Sequence, residues 1–272
     1  MKKFYNLIAA FVLLTTVASA QYYYIPYQNA GTNPGGLNND AEYPLGGGLG
    51  ANWAVLQGPS ATPVWSPVTN LPFAFNFNGN PVSQFKVSNS GVLTFTTSAV
   101  TVPGFTAATL PNASIPDNSV CVLGIRGTTT SDNVVYQTFG SAPNRQFWIF
   151  FSSYSNATTN AWTYWSIVLE ESSNNIYIVD QRHSGTYTVS AGIQLNSTTA
   201  VAVAGSPSLA NVAAADPTPA DNSYYEFIFG SQPAVQAKMS SITLDKYIIV
   251  PGSTFVEGVV QNLGKSNYKY GY

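Results

Sequence analysis

Apolar and polar residues alternate most regularly at residues 73–78, where three phenylalanines are separated by alanine and asparagine. Alternation with a period of two is typical of a β-strand that has one face in a core. Residues 133–180 contain four further runs of aromatic and β-branched residues, and turn-forming residues end each run. We therefore predict that residues 133–180 form an antiparallel meander in the middle of a β-sandwich.

Shorter runs with the same character lie on both sides of the meander. They are residues 53–57, 84–88, 92–96, 120–124, 190–195, 200–204 and 224–229. After residue 20, no segment sustains the 3.6-residue apolar period of a helix. Many short strands separated by turns indicate an all-β fold, an antiparallel and jelly-roll-like β-sandwich, which we assign to residues 21–233.

A second unit is predicted at residues 234–272. Residues 240–245 and 254–261 have strand character, and Pro251 and Gly252 mark a turn between them. Two strands are marginally stable on their own. We therefore expect this segment to be the truncated start of an immunoglobulin-like domain, and the chain to be a fragment of a longer protein.

The strands of the meander are apolar on both faces, whereas a sheet that faces water on one side needs only one apolar face. Trp162 and Tyr164 share one face of their strand, and Trp148 occupies the matching face of the neighbouring strand. If this face is open, Trp148, Trp162 and Tyr164 form an aromatic platform for sugar rings or for a partner protein. The alternatives are that the tyrosine-rich residues 22–27 or a loop cover it.

The N-terminus has the pattern of a secretory signal peptide. Lys2 and Lys3 precede an apolar run at residues 7–17, and the small residues 18–20 follow as a cleavage site. The apolar run is shorter than the about 20 residues that a membrane-spanning helix needs, and no later segment is apolar enough to span. We predict a signal peptide at residues 1–20 and a secreted or outer-membrane, cell-surface location.

The composition is poor in charge, with Asp, Glu, Lys and Arg making up 8% of the chain against about 25% in an average soluble protein. Asparagine, serine, threonine and tyrosine must supply the polar surface instead, which favours an extracellular β protein. After residue 20 no cluster of lysine and arginine offers phosphate contacts, so we expect no nucleic-acid partner. Cys121, the single cysteine, lies in an apolar run and is predicted to be buried.

No set of residues has the spacing of a catalytic or metal-binding site. His183, the only histidine, follows Asp180 in a predicted turn, and the chain lacks the nucleophile motif of the serine hydrolases. Glu170 and Glu171 are adjacent in a strand and should point to opposite faces. Glycoside hydrolysis needs two carboxylates about 5–10 Å apart. Asp132 could offer calcium an oxygen ligand, but a calcium-loop motif is missing. We predict no catalytic residue, no metal and no cofactor.

Several short motifs together resemble a known extracellular pattern. They lie at residues 73–77, 87–95, 140–147, 168–171, 175–178 and 191–194. Their order is similar to the nidogen-like or jelly-roll modules of bacterial surface proteins, above all secreted proteins of Bacteroidota that the type nine secretion system exports. Residues 250–264 resemble the cell-adhesion-related immunoglobulin-like domains of such proteins. The resemblance implies a secreted or outer-membrane location and no shared catalytic residues.

Three functions follow as hypotheses. The first is a non-catalytic extracellular module of a larger protein, for adhesion or for binding a polysaccharide or a cell-surface protein. The second is a structural spacer whose faces are all covered, and the third is a secreted glycan-active hydrolase. The exposure of Trp148, Trp162 and Tyr164 distinguishes the first two hypotheses, because binding requires exposed rings.

Overall fold

The computed structural model describes residues 21–27, 33–38, 52–184, 188–209, 223–243 and 257–265. The predicted signal peptide at residues 1–20 lies outside these residues. The described chain is all-β, and its two larger antiparallel sheets form a sandwich-like arrangement, as the alternating pattern predicted. One single-turn 3₁₀ helix, Pro34–Gly36, accompanies the strands.

Sixteen strands are described in chain order. They are β1 (Tyr22–Tyr27), β2 (Ala54–Gln57), β3 (Thr69–Phe77), β4 (Asn80–Ser88), β5 (Val92–Thr94), β6 (Ser119–Leu123), β7 (Ile125–Arg126), β8 (Asn133–Ser141), β9 (Asn144–Asn156), β10 (Trp162–Glu170), β11 (Ile176–His183), β12 (Ser190–Asn196), β13 (Thr199–Ala202), β14 (Ser223–Phe229), β15 (Ala237–Thr243) and β16 (Glu257–Asn262).

The large sheet has the strand order β1-β14-β11-β10-β9-β8-β2, with β7 paired to β9. The four consecutive strands β8 to β11 are the predicted meander, and they form the middle of this sheet. Their register places Val168 of β10 opposite Trp148 of β9 and Tyr177 of β11. The prediction of a central antiparallel meander is therefore confirmed.

The small sheet has the order β13-β12-β6-β5-β4-β3, so β3 and β13 are its edges. Residues 71–74 of β3 form an irregular stretch, because Asn70 pairs with Gln84 while Phe75 already pairs with Val82. Pro72 lies in this stretch, and proline is tolerated at a sheet edge because it has no N–H to donate.

The main core lies between the two sheets. Phe73, Phe75 and Phe77 all belong to it, which confirms the alternation predicted for β3. The large sheet contributes alternate residues of its central strands, including the fully buried Phe147, Phe151 and Trp165. Each buried aliphatic or aromatic side chain contributes about 1.5–3 kcal/mol. A core of this extent stabilises a chain whose single cysteine allows no internal disulfide.

The outer face of the small sheet is covered by the long connection between β5 and β6. Leu110 and Ile115 of this connection pack against Val92, Cys121 and Leu123 in a third apolar cluster. The side-chain amide of Gln194 donates hydrogen bonds to the carbonyl oxygens of Asn112, at 2.9 Å, and Ile115, at 2.7 Å. Both apolar packing and hydrogen bonds therefore fix the connection to the outer face of the small sheet.

Cys121 is fully buried in this cluster, as predicted. Burial raises the pKa of its thiol well above the usual range, because the thiolate would be formed in apolar surroundings. We expect the folded protein to resist a water-soluble disulfide reagent at pH 8 and the unfolded protein to react within minutes. Thiol titration with and without denaturant measures this, and rapid labelling of the native protein would contradict the described packing.

The remaining strands, β15 and β16, pair with each other in a separate two-stranded sheet. They fall in residues 234–272, the region predicted to begin a second domain. The division of the chain at residue 233 stays a prediction.

Candidate functional site

The outer face of the large sheet is the surface predicted to carry the aromatic platform. Successive strand residues point to opposite faces, so the residues of β8 to β11 that avoid the main core project from this side. Many of them form a second buried cluster, which consists of Trp53, Val135, Trp148, Phe150, Val168, Tyr177 and Val179. The second apolar face of the meander is therefore largely removed from solvent.

Trp148 belongs to this outer cluster and is 0% exposed. Its indole Nε1 donates a hydrogen bond to Oε1 of Gln146 at 3.1 Å. The Phe139 ring meets it edge-on, with the ring centroids 6.3 Å apart. A ring buried in this way cannot stack on a ligand. Trp148 therefore does not belong to an exposed aromatic platform, in contrast to the prediction.

Residues before β2 lie over the outer cluster. The 3₁₀ turn passes so close to β9 that a Cβ on Gly35, whose φ is 65°, would lie 2.9 Å from Nε2 of Gln146. Trp53 packs on Phe150 with ring centroids 5.9 Å apart. Residues 22–27 were one of the segments predicted to cover the outer face of the meander. They do not cover it, because they form β1, the edge strand paired with β14. The interpretation that a loop shields the second face is the one the geometry favours.

Trp162 and Tyr164 remain partly exposed on the outer face. Their rings meet edge-on with centroids 5.9 Å apart, and Tyr164 stacks on Phe150 at 6.1 Å. The guanidinium carbon of Arg182 lies 4.9 Å from the centroid of the Trp162 ring. The exposed part of the predicted site is thus Trp162, Tyr164 and Arg182, which we call the aromatic patch.

A group of tyrosines and glutamates lies elsewhere on the outer face, and sequence analysis did not predict it. The Tyr177 hydroxyl lies 3.3 Å from carboxylate oxygens of both Glu170 and Glu226. The Tyr27 hydroxyl donates to Glu226 at 2.9 Å, and the Tyr27 ring stacks on that of Tyr224 with centroids 4.6 Å apart. Burial, reinforced by the negative charge of Glu226, raises the pKa of both Tyr27 and Tyr177.

This group brings two carboxylates to the same phenol, an arrangement that could suggest hydrolysis. Glu170 also accepts hydrogen bonds from the Gln146 amide, at 3.1 Å, and from the Ser173 hydroxyl. Glu226 also accepts one from Nδ2 of Asn175 at 2.9 Å. Since side chains of the protein already donate to both carboxylates, the arrangement is suited to joining β10, β11 and β14.

Glu171 points away from Glu170, as their adjacency in the chain predicted. Nε and Nη2 of Arg145 donate to the two oxygens of Glu171 at 2.7 and 2.6 Å. These hydrogen bonds lower the pKa of Glu171 and raise that of Arg145. The Arg145 guanidinium also lies 5.4 Å from the centroid of the Phe73 ring. The pair therefore links the β8–β9 hairpin to the β10–β11 turn and to β3.

The other candidate residues are occupied or buried. The Asp132 carboxylate accepts three hydrogen bonds from its own loop, from the N–H groups of Thr128 and Thr129 and from the Thr129 hydroxyl. Asp180 is 1% exposed, and the side chain of His183 lies outside what the structure describes. Among the described residues, no group of three or more His, Cys, Asp or Glu side chains could hold a metal ion.

Comparison with models of protein families matches more than half of the chain. A family model described as NIDO related matches residues 54–229, from the first residue of β2 to the last residue of β14. Neither a curated protein nor a solved structure was found to match the chain. Over the described ranges, no helix has the length and hydropathy needed to cross a membrane.

Proposed function

Because the chain belongs to the NIDO-related family, we propose that it is a non-catalytic extracellular module of a larger protein that binds a polysaccharide or a cell-surface protein. A NIDO-related domain is typical of extracellular proteins. The proposal includes export through a signal peptide at residues 1–20, a bacterial cell-surface location of the type nine secretion kind, and an immunoglobulin-like domain that begins near residue 234.

The observation that carries the binding function is the exposure of the aromatic patch. The aromatic side chains of the neighbouring strands β9 and β11 are buried, whereas Trp162 and Tyr164 of β10 are partly exposed. Aromatic rings beside an arginine offer an apolar face and hydrogen-bond donors together, and such residues dominate recognition surfaces. A ligand with apolar ring faces and peripheral oxygen atoms, such as a polysaccharide, suits this combination.

Replacing both Trp162 and Tyr164 by alanine should weaken binding by at least about tenfold, which corresponds to about 1.4 kcal/mol. A glycan array and a pull-down on insoluble polysaccharides identify the ligand with the unmodified protein, and titration then compares the variants. Trp65→Ala is the matched control, because Trp65 is also partly exposed but lies against Lys86 of the small sheet. Equal affinity of the double variant and the control would refute the role of the patch.

A structural spacer is the second candidate, and one observation favours it. The outer faces of both sheets are largely covered, by residues before β2 on one side and by the β5–β6 connection on the other. A spacer would bind no glycan on the array and no surface protein in a pull-down. It would also tolerate replacement of Trp162 and Tyr164 without any change in partner binding.

A further inference from the structure

A cleft of about 270 Å³ opens at one end of the sandwich, away from the aromatic patch. It lies where the β3–β4 turn, the β10–β11 turn and the end of β14 meet. Its lining includes Asn76, Gly79, Ser173, Asn174, Asn175 and Phe229. The cleft is thus built from both sheets, and its volume is close to the lower limit of about 300 Å³ for small-molecule sites.

Three asparagines give the cleft both hydrogen-bond donors and acceptors. Oδ1 of Asn174 accepts from the backbone N–H of Asn76 at 2.7 Å, so the Asn174 amide nitrogen remains available. Nδ2 of Asn175 donates to Glu226 at 2.9 Å, so its carbonyl oxygen remains available. Within the described residues, the side chain of Asn76 makes no hydrogen bond, and it offers one group of each kind.

An aromatic ring adds an apolar surface to these amides. Phe229 is 38% exposed, and its ring rests edge-on against Tyr22 with centroids 5.6 Å apart. Gly79 has a φ of 75°, and a Cβ there would lie 3.1 Å from the Phe229 ring. Glycine thus allows the β3–β4 turn to approach the ring closely while part of the ring stays accessible.

The charged groups around the cleft restrict the class of ligand that can bind there. Among the described residues, no lysine, arginine or histidine lines the cleft, and two of its lining side chains donate to carboxylates: Asn175 to Glu226 and Ser173 to Glu170. An anion would therefore meet no cation and would be repelled by Glu226. A metal ion would find amide oxygens but no cluster of carboxylates in the described chain. The lining suits a neutral ligand.

The hydrogen-bond pattern distinguishes a sugar from a peptide. A peptide adds to a sheet edge through backbone groups. At this part of β3, however, the N–H of Asn76 is already bonded to Asn174. A sugar instead presents hydroxyls, each of which donates and accepts, together with C–H faces that pack on aromatic rings. We propose that the cleft between Asn76, Asn174, Asn175 and Phe229 is a binding site for a neutral saccharide unit.

This inference deepens the proposed binding function but places its ligand at a separate surface. The test is titration of the ¹⁵N-labelled protein with three neutral oligosaccharides (cellohexaose, xylohexaose and mannohexaose) and with oligogalacturonate as an anionic control. We expect at least one neutral oligosaccharide to shift the amide resonances of Asn76, Asn174 and Asn175. No shift with any of the neutral oligosaccharides, or a stronger response to oligogalacturonate, would overturn the proposal.

Three variants locate the site. Asn76→Ala and Phe229→Leu should each weaken binding at least about fivefold. Asn174→Gly should do the same while keeping the positive φ of 57° that residue 174 requires. Asn70→Ala, at an exposed position of the same strand outside the cleft, should bind normally. If the cleft variants bind normally and the Trp162 and Tyr164 double variant does not, the cleft proposal fails and the aromatic patch stands. If every variant binds normally, both fail.

Discussion

Replacing Trp148 with alanine should lower the free energy of unfolding by about 3–5 kcal/mol, the usual loss for a large aromatic side chain removed from a core. The indole is 0% exposed, and its ring packs against Phe139. Its loss also removes the donor that bonds Oε1 of Gln146, the residue over which the 3₁₀ turn passes. Denaturant unfolding followed by circular dichroism measures the change.

The matched control for this variant is Trp162→Ala. Trp162 is a tryptophan of the same sheet, but part of its ring is in solvent, so its removal leaves no closed cavity. We expect its effect on the free energy of unfolding to be less than half that of Trp148→Ala. Equal losses, or a loss of less than about 1 kcal/mol for Trp148→Ala, would show that the outer cluster is not packed as described.

Raising the pH above 10.0 should destabilise the protein steeply. Burial raises the pKa of Tyr22 and Tyr225 from 10.0 to about 12, and it raises the pKa values of Tyr27, Tyr154 and Tyr177 further. The folded state therefore retains phenol protons that the unfolded state loses. These tyrosines leave the free energy of unfolding unchanged below pH 10.0, and above it they lower that free energy by about 1.4 kcal/mol per pH unit for each tyrosine that stays protonated.

Denaturant unfolding at a series of pH values between 8 and 12, together with ultraviolet absorbance of the phenolates, measures this effect. Tyr154→Phe is the informative variant, because the buried Tyr154 hydroxyl has no hydrogen-bond partner among the described residues. The variant should not lower the free energy of unfolding at pH 7. Above pH 10.0, the fall of this free energy per pH unit should be smaller by the contribution of one tyrosine proton. Stability that is constant up to pH 12 would contradict the described burial of these tyrosines.

The strands of the meander could be predicted because their pattern is local. The four runs predicted within residues 133–180 are strands β8 to β11, and the three phenylalanines of β3 are buried as their alternation requires. The role of residues 22–27 could not be predicted in the same way. A tyrosine-rich, extended segment can form a sheet edge or cover a sheet, and only the distant strand β14 decides between the two.

The candidate site was predictable in part, for a related reason. The sequence placed Trp148, Trp162 and Tyr164 on one face of the sheet, and the partly exposed rings of the last two lie close together there. Alternation identifies a face but not the segment that covers it, so the burial of Trp148 depends on residues from outside the meander. The cleft is made by turns, whose asparagines look in sequence like ordinary turn residues.

The pairing of β1 with β14 has a consequence for how the protein folds. The hydroxyl of Tyr27 and the carboxylate of Glu226, which join these strands, are 199 residues apart in the chain. Contacts between such distant segments are slow to form, because the entropy cost of closing a long loop comes before any stabilising contact is made. During synthesis or export, the meander can assemble as soon as its own strands are available. The β1 edge strand must wait for β14, so residues 22–27 are expected to join the large sheet late.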